Sequence, residues 1–213
     1  MQILLTGGNR GIGAEMTKQL RARGDHVTAT SRDGSTGTAL DVTNTDQLSE
    51  LAASVNGPID LLICNAGVYL DKDQTLENGF GTDLWAQTFA VNVTAVFQTI
   101  ESFLPALRQA SAPKIAVIAS QMGSSERANG NAYIYRASKA AAVNLSRNLA
   151  VDLKPQGIAV GAYHPGWVRT EMGGAHADID AATSAAGLIA RFDALGIHHT
   201  GVFENYDGAV MPF

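Results

Sequence analysis

Short apolar runs alternate along this chain with longer amphipathic stretches, and that alternation restricts the fold more than any other feature. Runs such as Leu61-Leu62-Ile63-Cys64 and Ile115-Ala116-Val117-Ile118 lack the one-in-two polar rhythm of a half-exposed strand. Such runs read as strands buried on both faces. The pattern predicts strands at residues 2–6, 26–31, 38–41, 59–64, 114–120, 158–163 and 201–204. Helical periodicity falls between them, at residues 12–23, 45–55, 83–110, 132–153 and 181–195. Strand–helix alternation implies right-handed crossovers and a doubly wound parallel sheet flanked by helices, an α/β fold of about seven strands.

With 213 residues and no linker-like stretch, residues 1–213 read as a single domain. Hydrophobic residues make up 46% and charged residues 16%, enough apolar content for one sizeable core. The net charge of -5, with no clustered Lys or Arg, argues against nucleic acid as a partner. No apolar run approaches the ~18 residues of a spanning helix, so no membrane is expected. The first residues lack a basic region and meet Gly7 too early for a signal peptide. Cys64 is the single cysteine, inside an apolar run, and reads as a buried structural residue in a cytoplasmic protein. No His, Cys or carboxylate spacing forms a metal site, since His198-His199 has no partners to complete one.

Between the first strand and the first helix lies Thr6-Gly7-Gly8-Asn9-Arg10-Gly11-Ile12-Gly13. Glycine permits a tight turn there and lets the backbone approach a pyrophosphate, while the helix N-terminus offers free N–H groups. This placement points to dinucleotide binding on a Rossmann-type fold; a simple tight turn is the plainer alternative. The second strand ends in Ser31-Arg32-Asp33. Arg32 suits a 2′-phosphate and favours NADP(H), whereas Asp33 holding a ribose hydroxyl would favour NAD(H).

Tyr135 and Lys139 are four residues apart on an expected helix and so share a face. A phenol titrates near about 10, too high for acid–base work at neutral pH. A lysine cation ~5 Å away would favour phenolate by roughly 3 kcal/mol, lowering that pKa by about two. Tyr133 is a nearby competitor, but four residues on it has Ala137. Ser120 ends the expected strand 114–120 where ligands bind, and its hydroxyl could hold a substrate oxygen or merely start a turn. Ser124 lies further into the loop. Asn92 stands in a mainly apolar stretch, either as a core amide satisfied by backbone or as the anchor of a water relay.

Together these residues resemble the classical short-chain dehydrogenase/reductase family, in order and over nearly the whole chain. Thr6–Gly13 is similar to its glycine motif, in which Gly7, Asn9, Arg10, Gly11, Ile12 and Gly13 would contact the cofactor. Ser31 and Arg32 would do so at the second strand's end. Asp41-Val42 resembles its adenine-contacting pair and Asn65-Ala66-Gly67 its motif at the fourth strand's end. Asn92, Ser120, Tyr135 and Lys139 match its catalytic tetrad. Pro165-Gly166-Trp167-Val168-Arg169-Thr170 resembles the segment along the nicotinamide, with Pro165, Gly166, Val168 and Thr170 as contacts. The Tyr135–Lys139 run, Ser120-Gln121-Met122-Gly123 and the terminal Phe203-Glu204-Asn205-Tyr206-Asp207-Gly208 further resemble the C-factor-like subgroup.

The resemblance implies hydride exchange between NADP(H) and a small-molecule carbonyl or alcohol. Tyr135 would be the acid, Lys139 would lower its pKa and hold the nicotinamide ribose, Ser120 would orient the carbonyl, and Asn92 would place a water. It also implies a homodimer or homotetramer through helices 83–110 and 132–153. The Ser120-to-Tyr135 interval is slightly longer than the family pattern. Residues 171–179 are short for a substrate lid, so an open pocket walled by residues 68–80, 123–131 and 172–180 is expected. A regulatory protein that binds the dinucleotide as a ligand is the alternative. No G-x-S-x-G elbow is present, so nothing supports a serine hydrolase on this fold.

Overall fold

The structure, a computed structural model, describes residues 1–77 and 79–213; Asn78, in the expected pocket wall, lies outside them. Among the described residues the strands are β1 (Gln2–Thr6), β2 (His26–Ser31), β3 (Thr38–Ala39), β4 (Leu61–Cys64), β5 (Lys114–Ile118), β6 (Ala159–His164) and β7 (Val202–Asn205). All pair in parallel in one seven-stranded sheet ordered β3-β2-β1-β4-β5-β6-β7. The strand order reverses between β1 and β4, the switch point at which an open α/β sheet presents a crevice.

The α-helices among the described residues are α1 (Gly11–Ala22), α2 (Thr45–Ser54), α3 (Thr82–Phe89), α4 (Ala95–Leu107), α5 (Tyr133–Leu153) and α6 (Ala181–Ala194). Side chains alternate along each strand, so successive residues enter opposite cores. Leu4, Leu62, Ile115 and Val117 pack on one face with Leu48, Ile100, Phe103 and Ala142 from α2, α4 and α5. Ile3, Leu5, Leu61, Ile63 and Ala116 pack on the other with Met16, Leu20, Leu188 and Phe192 from α1 and α6. Burial on both faces is why these strands carry no polar rhythm.

Two expectations change in ways that affect the crevice. The expected strand 114–120 stops at Ile118, and Ser120 instead begins a short 3₁₀ turn, Gln121–Gly123. The expected helix 83–110 is not continuous: a π-helical turn, Ala90–Thr94, separates α3 from α4 and contains Asn92. Helix starts also differ. Asn44 caps α2 by accepting from the N–H groups of Asp46 and Gln47, and Asp180 caps α6 by accepting from Thr183. α1 and α5 have no capping side chain at that position. No helix among the described residues is long and apolar enough to cross a membrane.

Candidate active site

The loop after β1 and the loop after β4 meet at the switch point and are tied together. Asn65 Nδ2 donates to the carbonyls of Thr6 and Gly7 at 3.0 and 2.8 Å, while Thr6 Oγ1 accepts from the N–H groups of Asn65 and Ala66. The glycines have distinct reasons to be there. Gly11 takes φ 53°, and a Cβ on Gly13 would lie 2.0 Å from the Gly7 carbonyl oxygen. The turn therefore closes only without side chains, leaving the uncapped N-terminus of α1 facing the crevice. That cradle fits a dinucleotide pyrophosphate. Thr170 reaches the same loop, its Cγ2 standing 3.2 Å from where a Gly11 Cβ would be. Arg10 pairs with Glu171, so the segment after β6 is joined to the glycine loop.

At the end of β2, Ser31 is buried and Arg32 exposed. Asp33 is held below the ordinary carboxylate range by hydrogen bonds from Ser31 and Ser35. It also accepts from Asn9 Nδ2 at 3.4 Å. Asp41 is likewise held low, mainly by Thr43 and also by the charge of Arg32. Val42 is buried in the core beneath it.

Tyr135 is 8% exposed on the first turn of α5, and its ring stacks on Tyr69 with centroids 4.4 Å apart. Burial pushes its phenol up to about 12, partly opposed by a hydrogen bond with Ser120. Ser120 Oγ also accepts from Met122 N–H at 3.1 Å. Lys139 is buried, donates to the Ile118 carbonyl at 2.9 Å, and stands 5.7 Å from the centre of the Tyr135 ring. Burial pushes the Lys139 amine down to about 8. In the chain by itself, burial dominates at Tyr135 and favours the protonated phenol.

Asn92 is a buried amide satisfied largely by backbone, one of the two arrangements expected for it. Its Oδ1 accepts from Val68 N–H, and its Nδ2 donates to the Val68 carbonyl and to Ser138 Oγ, at 2.9, 2.9 and 3.0 Å. The side chain staples the loop after β4 to α5. Gly67 gives this corner room, since a Cβ there would lie 3.3 Å from Asn92 Oδ1 and 3.5 Å from Lys139 Nζ. The segment after β6 folds back on itself: Val168 bridges to Ile179, and Arg169 donates to the carbonyls of Ala177 and Asp178. Ser184 Oγ fixes the Pro165 carbonyl at 2.6 Å, and Gly166 takes φ 85°.

Sequence reasoning missed Tyr69, Asp71 and Arg136. Asp71 is fully buried and accepts from the backbone N–H groups of Ile134 and Tyr135. It is one of 20 acidic residues, and no spacing marks a partner 63 positions away.

Residues 1–179 match the family model described as short chain dehydrogenase. The C-signal protein of Myxococcus xanthus is 36% identical over 169 residues, covering 74% of this chain and 94% of that protein. The 1-hydroxy-2-glutathionyl-2-methyl-3-butene dehydrogenase of Rhodococcus sp. is 31% identical and covers 99% of each chain. Among solved structures, NADPH-bound carbonyl reductase from chicken fatty liver superposes with a TM-score of 0.91 at 29% identity, covering 100% of this chain and 98% of its own.

Proposed function

The chain belongs to the short-chain dehydrogenase family, and from that membership we propose that it is an NADP(H)-dependent reductase of a small carbonyl compound, with Tyr135 as proton donor. One observation carries the reading: a buried phenol, hydrogen-bonded to Ser120 and close to the Lys139 ammonium, on the helix beside a loop shaped for pyrophosphate. Gly7, Gly11, Ile12 and Gly13, with Asn9 and Arg10, would hold the phosphates, and Pro165 to Thr170 the nicotinamide end. Ala66 and Gly67 would line the crevice between them, with Asn65 securing its floor. NADPH, when bound, supplies the hydride that reduces the carbonyl carbon.

The chain's own residues handle the proton. Ser120 Oγ holds the carbonyl oxygen next to the Tyr135 hydroxyl. Tyr135, kept neutral by burial, gives its proton to that oxygen as negative charge develops there. Lys139 then faces the phenolate with a positive charge and stabilises it. Asn92 keeps α5 and the loop after β4 in register, so the three hydroxyl and amine groups stay aligned.

NADP(H) is preferred over NAD(H) because Asp33 is engaged by Ser31, Ser35 and Asn9, whereas exposed Arg32 is open to a 2′-phosphate. The C-signal relative favours a second reading, in which the dinucleotide is a ligand and turnover is incidental. One assay with two variants separates these. Tyr135→Phe should retain NADPH binding while carbonyl-dependent NADPH oxidation falls at least about a hundredfold. Arg32→Ala should raise the KM for NADPH and leave that for NADH unchanged. Full turnover in Tyr135→Phe would remove the phenol from the mechanism. Biological activity that survives loss of turnover would select the binding role.

A further inference from the structure

The beginning of α5 places Tyr135, yet the residue just before the helix does not cap it. A helix leaves its first N–H groups free, and a polar residue just before it ordinarily accepts from them. In α5 that residue is Ala132, which has no acceptor in its side chain. Ala132 and Asn131 both lie in the left-handed region, at φ 50° and 58°. Non-glycine residues avoid that region, so the surrounding structure must hold this turn.

Asp71 supplies the missing acceptor from the loop after β4. Its Oδ2 accepts from Ile134 N–H at 2.8 Å, and its two oxygens accept from Tyr135 N–H at 3.2 and 3.4 Å. These belong to the second and third helical residues, the pair a local cap serves. A carboxylate there also faces the positive end of the helix dipole. Arg136 secures the other side of the turn, donating to the carbonyls of Asn131, Arg127 and Met122 at 3.1, 3.4 and 3.5 Å. The loop that carries Asp71 makes further contacts at this corner. Val68 holds Asn92 through both its backbone groups, and Tyr69 stacks on the Tyr135 ring.

We propose that Asp71 is a positioning residue for Tyr135: it sets where α5 begins, and thereby where the phenol stands relative to Ser120 and Lys139. This rests on Tyr135 being the proton donor. Residues 67–71 then act as a strap that registers α5 against the end of β4 and the crevice.

The test uses the full chain with Asp71→Ala and Asp71→Asn. The alanine leaves two buried N–H groups without an acceptor, and the asparagine restores one acceptor oxygen. In Asp71→Ala, kcat should fall at least about tenfold through misplacement of the phenol. The Kd for NADPH, read by fluorescence, should stay within about twofold, because the glycine loop is untouched. Asp71→Asn should regain most of the rate. Amide hydrogen exchange at the start of α5 should quicken in the alanine variant and recover in the asparagine variant, with later α5 amides unchanged. If Asp71→Ala does not fold, Asp71→Asn against the parent carries the same readouts with a smaller loss, about threefold. Exchange needs no substrate, so it decides the matter even if no carbonyl is turned over, an outcome that would count against the reductase reading alone. Parental kcat in Asp71→Ala, unchanged exchange, or loss of rate together with NADPH binding and no recovery in Asp71→Asn would each overturn the proposal.

Discussion

Lys139 and His164 are bases whose pKa values are lowered mainly by burial. Desolvation disfavours the charged form and pushes them to about 8 and about 4 respectively. For His164 the nearby Arg127 adds to the effect and Asp207 partly opposes it. The consequence for stability has a definite sign. The unfolded chain protonates His164 near the ordinary imidazole value of 6.5, while the folded chain resists until about 4. Stability is therefore intact above pH 6.5 and is lost as pH falls from 6.5 towards 4, by on the order of 3 kcal/mol. Thermal unfolding of His164→Gln should show a flatter dependence on pH across that window than the parent chain. Equal slopes would mean that His164 is not buried neutral. The His164 side chain at the end of β6 gave no such signal in the sequence, because burial is a property of what surrounds it.

At the scale of one element, the glycine loop was legible as a pattern and only partly as a cause. Its spacing named Gly7, Gly11 and Gly13 as residues close to a phosphate. The structure separates their reasons: Gly11 needs a positive φ, whereas Gly13 needs space. Gly13→Ala would drive a methyl group into the Gly7 carbonyl oxygen and the Asn65 amide, 2.0 and 2.7 Å away. NADPH affinity should fall more than about tenfold, with some loss of stability from the strained turn. Gly196→Ala is the matched control, since a Cβ there meets nothing within 4 Å and φ is −156°. Isothermal titration of both variants with NADPH checks the contrast, and equal affinities would count against a close approach at Gly13. Helix α5 behaves differently. Its periodicity and the Tyr135–Lys139 pair were readable, but its capping residue is remote and therefore was not.

Over the whole molecule, Cys64 reports on cooperativity. It lies in β4, paired with Val117 of β5 and packed in the larger core, and burial pushes its thiol up to about 12. Thiolate chemistry requires exposure, so a thiol reagent should react only when the sheet opens. Labelling should follow one slow phase that tracks unfolding by circular dichroism. NADPH at a hundredfold excess over its Kd should slow it by about a hundredfold through linkage. Fast labelling without unfolding would show that β4 opens on its own.

Composition, strand–helix alternation and motif order were enough to determine the parallel sheet, its flanking helices and the family. Each depends on residues near one another in sequence or on a pattern repeated along it. The Tyr135–Lys139 spacing and the glycine loop were readable for the same reason. Tertiary structure alone decided the rest. Ser120 leaves the strand for a turn, Asn92 spends its amide on Val68 and Ser138, and Asp71 anchors a helix 63 residues away. It also decided the burial of Tyr135, because a lysine's pull can be estimated from spacing, whereas desolvation depends on every neighbour that excludes water.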